Sequence, residues 1–95
     1  MPYRIEYRPQ VLDDFQAIPL NMRERIRRAI LSRLGSAPEV YGERLGKDLS
    51  GLWKIRVGGY RVVFELHPSE QQVTIWCIQA RKHVYPEAQR RWRRR

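Results

Sequence analysis

Residues 52–66 read LWKIRVGGYRVVFEL, two alternating runs joined by a pair of glycines. A two-residue connection between runs rich in Val, Ile, Tyr and Phe signals a β-hairpin, because glycine accepts the positive φ that both central positions of a type I′ turn require. The turn sets the register: Val57 faces Tyr60, Arg56 faces Arg61, Ile55 faces Val62, Lys54 faces Val63 and Trp53 faces Phe64. Successive strand side chains point to opposite faces. Trp53, Ile55, Val57, Tyr60, Val62, Phe64 and Leu66 therefore form an apolar side, and Lys54, Arg56 and Arg61 a cationic one. Like charges opposed across a sheet cost a few tenths to about 1 kcal/mol. An anion seated over Arg56 and Arg61 would offset that cost; the alternative is a partly solvated face on which Glu65 relieves the repulsion.

Working outward, YRIEY at residues 3–7 alternates as a half-buried strand that Pro9 ends. Val11, Leu12, Phe15 and Ile18 follow helical spacing up to Pro19. A second helix begins at an N-x-x-E signal, Asn21 to Glu24, and carries the stripe Met22, Ile26, Ala29, Ile30 and Leu34 to a stop at Gly35. Its arginines at 23, 25, 27, 28 and 33 read as a solvated face. Residues 35–51, with four glycines and a proline, read as a surface connection. Strands are expected at 52–57, 60–66 and 73–79, and the tail from Tyr85 as either a short terminal helix or a disordered run of arginines. This order gives an α+β domain: an N-terminal strand, a two-helix hairpin, then a three-strand antiparallel meander, with the helices packed on one sheet face. Trp53 and Trp76 fall in core patterns, whereas Trp92 either anchors the tail or stacks on a base.

The 95 residues suffice for one core, so a single domain over 1–95 is expected. Nineteen basic against ten acidic residues leave a net charge of +9, and arginine greatly outnumbers lysine, which points to a polyanionic partner recognised through forked guanidinium donors. The charged N-terminus does not resemble a signal peptide and no apolar run approaches a membrane span, so the expected location is the cytoplasm, with no membrane partner. The one cysteine, Cys77 within VTIWCIQ, reads as a small buried hydrophobe. No metal-ligand spacing, P-loop or dinucleotide fingerprint is present, and no metal or cofactor is expected.

The segment QARKHVY, residues 79–85, takes Arg81, Lys82, His83 and Tyr85 off the last strand beside the hairpin. Together, LSGLWKIRVGGYRVVFEL and IQARKHVYPEA resemble the RelE/ParE superfamily of toxins from bacterial and archaeal toxin–antitoxin modules, over nearly the whole chain. The specific features are the GGYR hairpin and the terminal Arg-x-x-x-Tyr. For RelE-like members the resemblance implies a ribosome-dependent, metal-independent endoribonuclease that cuts mRNA in the ribosomal A site by 2′-hydroxyl attack. For ParE-like members it implies inhibition of DNA gyrase without nuclease activity. It carries the basic pair over to Lys54 and Arg56, the hairpin arginine to Arg61, and the catalytic C-terminal pair to Arg81 and Tyr85. Arg56 stands where the type member has a lysine, and Ala80 where relatives often have Gly, Lys or His. Implied partners are a cognate antitoxin with an acidic or amphipathic segment, the ribosome with its mRNA, and operator DNA reached through the antitoxin.

Metal-free RNA cleavage needs a base at the 2′-hydroxyl, positive charge at the phosphorane-like transition state, and protonation of the 5′-oxygen. Arg56 and Arg61 suit the second task. Their field favours an uncharged amine at Lys54, the candidate base or transition-state cation. Arg81 is too weak an acid for easy proton donation and fits an electrostatic role. Tyr85 offers three roles: proton donor, phosphate orienter or stacking platform. Lys82 and His83 are substrate-binding candidates, and the imidazole makes His83 a candidate acid–base group as well. A plain nucleic-acid-binding module that cuts nothing is the third reading.

Overall fold

The computed structural model describes residues 2–95, and its elements run β1 (Arg4–Tyr7), α1 (Gln10–Gln16), α2 (Leu20–Ala29, widened into a π-turn over Ile30–Leu34), α3 (Pro38–Tyr41), β2 (Glu43–Arg44), β3 (Trp53–Val57), β4 (Tyr60–His67), β5 (Gln72–Ala80) and α4 (Arg81–Arg93). The sheet order is β1-β5-β4-β3-β2. The meander β3-β4-β5 is antiparallel, while β1 runs parallel to β5, so the first and last strands pair. No helix of the described residues is long and apolar enough to cross a membrane.

The β3–β4 hairpin has the register expected from its glycines, from Trp53 opposite Phe64 to Val57 opposite Tyr60. Its turn differs in type. Of the two glycines only Gly58 takes a positive φ, at 60°, which is the pattern of a type II′ rather than a type I′ turn. Between β4 and β5 the ladder carries a bulge: Val63 pairs with Cys77 but Phe64 with Ile75, leaving Trp76 as the extra residue. Ile75 and Ile78 thereby face one side, and Trp76 and Cys77 the other.

Prolines start α1, α2 and α3. Asn21 is not the cap of α2: the helix begins one residue earlier, at Leu20, because the Pro19 carbonyl accepts the N–H groups of Met22 and Arg23 at 3.0 and 2.9 Å. Arg23 is not purely solvated either, since its Nε donates to Ile18 O at 2.9 Å and its Nη2 to Gln16 O at 3.2 Å, where the end of α1 favours a cation. The π-turn closes with Gly35 N–H donating to Ile30 O at 3.1 Å; a Cβ at Gly35 would stand 2.3 Å from Leu31 O, so only glycine fits.

Two cores result. The first holds Val11, Ile18, Ile26, Ile30, Leu34, Ile55, Val57, Val62, Phe64, Val73, Ile75 and Ile78, with α1 and α2 over the expected apolar face. The second lies on the opposite face, where Val84, Ala88 and Trp92 of α4 cover Leu52, Val63, Trp76 and Cys77. The face read as cationic is thus divided: cations at the hairpin end, a small core at the other. Val84, Ala88 and Trp92 are spaced i, i+4, i+8, so the arginine-rich tail is an amphipathic helix with a full apolar stripe. Burying a side chain the size of Val84 is worth about 1.5–3 kcal/mol. Trp92 anchors the tail, packing edge-on against Trp76 with ring centres 5.0 Å apart and donating Nε1 to Ser50 O at 3.2 Å.

Beyond Ile75 no strand of the described residues lies beside the outer edge of β5. Side chains complete it. Asp14 of α1 accepts the Ile78 N–H at 2.9 Å, and Arg91 of α4 donates to Trp76 O at 2.9 Å. The two are themselves paired, Arg91 Nη1 to Asp14 Oδ2 at 2.8 Å and Nη2 to Oδ1 at 2.9 Å, with both side chains buried. Burial opposes the guanidinium charge, but Asp14 and Glu87 hold Arg91 protonated above its ordinary range.

Candidate functional site

Strand alternation sends Lys54 to the same side of the sheet as Arg56 and Arg61, and α4 lays Tyr85 against that side. Lys54 Nζ lies 5.7 Å from the centre of the Tyr85 ring, within cation–π range. The same ammonium stands 3.6 Å from Glu43 Oε1, because β2 places Glu43 opposite Lys54. Glu43 belongs to the stretch read as a surface connection, and its two-residue strand leaves no periodic signal.

Arg56 and Arg61 face each other across the hairpin but differ in environment. Arg56 is exposed, whereas Arg61 retains only 9% of its surface. Nη1 of Arg61 folds back on the turn, donating to Gly58 O at 3.3 Å and Tyr60 O at 3.0 Å. Glu65 does not relieve the pair: it accepts from Trp76 Nε1 at 3.1 Å and contacts His67 Nε2 at 3.3 Å. Among the described residues no carboxylate lies within ion-pair distance of Arg56, Arg61 or Arg81. Desolvating a guanidinium without a counter-charge costs several kcal/mol, so a buried Arg61 held only by neutral carbonyls favours an anion beside it.

The Arg81 N–H donates to Gly59 O at 3.0 Å, so α4 starts at the hairpin turn. In the helix Arg81 and Tyr85 are i, i+4 and Lys82 and Tyr85 i, i+3, which puts all three on one side. His83 is about 200° from Tyr85 around the helix. It lines a cleft of about 520 Å³ with Asp13, Tyr60, Gln79 and Glu87, on the α1 side. The fold thus brings Lys54, Arg56, Arg61, Arg81, Lys82 and Tyr85 around one hairpin and leaves His83 elsewhere. Among the described residues no three His, Cys, Asp or Glu side chains converge so as to hold a metal ion. Cys77 is no nucleophile, because burial pushes its thiol up to about 12.

Residues 5–85 match the family model described as ParE toxin of type II toxin–antitoxin system, parDE. The chain belongs to this family. Solved structures share the toxin's fold. The RelBE2 toxin–antitoxin complex from Mycobacterium tuberculosis aligns at a TM-score of 0.81 and 21% identity, covering 85% of this chain and 100% of that one. A double arginine-to-alanine variant of the E. coli toxin RelE in the free state aligns at 0.74 and 22%, covering 96% and 98%. An archaeal RelE–RelB complex from Pyrococcus horikoshii aligns at 0.62 and 25%, covering 87% and 99%. No curated protein is a significant match to the toxin's sequence.

Proposed function

We propose that the toxin is a metal-independent endoribonuclease that cuts mRNA held in the ribosomal A site. One observation carries this reading: Lys54, Arg56, Arg61, Arg81 and Tyr85 surround a single hairpin, and among the described residues the three arginines have no carboxylate within ion-pair distance. In the proposed reaction the 2′-oxygen attacks the adjacent phosphorus, the bond to the 5′-oxygen breaks, and a 2′,3′-cyclic phosphate and a 5′-hydroxyl are left. Lys54 stabilises the developing charge as the ammonium beside Glu43, or takes the 2′-hydroxyl proton after first losing its own to solvent, and Arg61 and Arg56 bind the non-bridging oxygens. Arg81 stabilises the leaving side. Tyr85 orients the phosphate or supplies the proton to the 5′-oxygen, and Lys82 adds a substrate contact. The likeness to solved RelE toxins supports the same reading. On this reading the toxin acts in the cytoplasm, at the ribosome.

A cognate antitoxin follows from the family and is supported by the solved toxin–antitoxin complexes of similar fold. Charge complementarity gives it an acidic segment that folds over the hairpin. The second reading is inhibition of DNA gyrase, which the ParE description of the family favours. Translation of a defined message by purified ribosomes, with transcript ends mapped, separates the two. Codon-positioned breaks that vanish with Arg61→Ala and Arg81→Ala, both variants remaining folded, support the nuclease. Intact message together with relaxed DNA in a gyrase supercoiling assay would replace it with the gyrase reading.

A further inference from the structure

We infer that the Gly58–Gly59 turn is the centre of an extended phosphate-binding surface, which wraps from the Lys54 side of the sheet round to α2 and engages the backbone of a structured RNA at more than one phosphate. The inference rests on RNA being the target proposed above. Arginines reach this turn from several elements. Arg61 donates to Gly58 O and Tyr60 O, and the Arg81 N–H to Gly59 O. From the other side Arg33, at the end of α2, donates Nη1 to Arg56 O at 3.1 Å. Arg25 of α2 lays Nη1 3.3 Å from the position a Gly58 side chain would occupy.

The guanidinium groups of Arg33 and Arg61 donate to main-chain carbonyls, Arg81 meets Gly59 O through its backbone N–H, and among the described residues Arg25 and Arg56 have no side-chain acceptor. A carbonyl fixes a guanidinium in place without cancelling its charge. None of Arg25, Arg33, Arg56, Arg61 and Arg81 has a carboxylate within ion-pair distance among the described residues, whereas Arg27, Arg90 and Arg91 each do. One phosphate over Lys54 and Arg61 leaves Arg25 unanswered, because Arg25 comes to the turn from the α2 face. An anion that serves both sides must extend past the turn. A nucleic-acid backbone does so, and duplex RNA is read through phosphates and shape rather than sequence. The turn admits close approach: Gly59 has open space where a side chain would be.

The test uses the full chain and a fluorescent 20-base-pair RNA hairpin, with affinity followed by anisotropy from 50 to 200 mM KCl. Each lost phosphate contact lowers the slope of log K against log salt by roughly 0.7–0.9. Arg25→Gln is expected to lower it by that amount and Arg25→Gln with Arg33→Gln by about twice as much. Arg25→Lys keeps the charge and should keep the slope. Arg27→Gln removes the same charge from an arginine already paired with Glu24 and should leave the slope unchanged. Among the described residues the Arg25 side chain makes no hydrogen bond whose loss would unfold the protein, and the lysine variant reports any packing effect. An Arg25→Gln slope equal to that of Arg27→Gln overturns the proposal, as does a variant that loses only binding to polyglutamate, which would assign the surface to an acidic protein. If the message stays intact on ribosomes while Arg25→Gln still lowers the RNA slope, the nuclease reading falls and this surface stands.

Discussion

Replacing Asp14 tests how α4, which carries Arg81 and Tyr85, is held to the sheet. Asp14→Asn keeps the volume and one oxygen but removes the charge facing Arg91. Breaking one side of a buried ion pair costs about 3–5 kcal/mol. Glu87 Oε2 remains 2.8 Å from Arg91 Nε and answers part of the charge, so the lower end applies, about 3 kcal/mol. Asp14→Ala also strips the Ile78 N–H and the Gln79 amide of their acceptor, adding about 1–3 kcal/mol. A domain of this length is stable by roughly 5–14 kcal/mol, so either change takes a large share. In urea unfolding the asparagine variant should lose on the order of 2 M in midpoint, and the alanine variant more. The double variant Asp14→Asn with Arg91→Gln should fall short of the summed single effects by at least about 1 kcal/mol. An asparagine variant within 1 kcal/mol of the parent, or an alanine variant no worse than the asparagine one, would refute the view that this pair closes the sheet edge.

Three further outcomes follow from individual residues. Gly58→Ala forces a left-handed φ on alanine and should cost about 1–2 kcal/mol, a fall of several degrees in thermal melting, while Gly59→Ala stays close to the parent; equal effects would contradict the turn geometry. The Cys77 thiol should resist iodoacetamide at pH 8 until the protein unfolds, because burial raises its pKa to about 12; rapid alkylation of the native protein would show the second core to be open. Glu87 is held below the usual carboxylate range by its hydrogen bonds to Arg90 and Arg91, so its contribution is present above its unfolded value near 4.3 and is lost as pH falls through the lower folded value. Urea midpoints taken from pH 6 to 3 should therefore decline less in Glu87→Gln than in the parent, and parallel curves would argue that these hydrogen bonds contribute nothing.

The hairpin was legible because everything that defines it is local: two glycines set the reversal, and alternation sets the faces. The same alternation gathered Lys54, Arg56 and Arg61. Features that depend on distant partners were not. The parallel pairing of β1 with β5 joins Arg4 to Gln72 across most of the chain, and no residue type announces it. Arginines hide the stripe Val84, Ala88 and Trp92, so the tail from Tyr85 read as either a short helix or disorder when it is the greater part of the 13-residue helix α4, which has its own core. Helical geometry in turn separates His83 from Tyr85, which an extended segment would have aligned. Asp14 and Arg91 lie 77 positions apart, and their meeting is fixed only once both helices have docked on β5.

The bulge at Trp76 has a wider consequence. A strand is a two-stroke counter, and α4 leaves β5 with no linker, so the parity of β5 decides which surface of the sheet the helix departs over. One unpaired residue resets that count between Ile75 and Ile78. A chain lacking it would send Ile78 outward and swing Arg81 and Tyr85 away from Lys54, which makes the extra tryptophan a timing device for the proposed site as much as a piece of the packing.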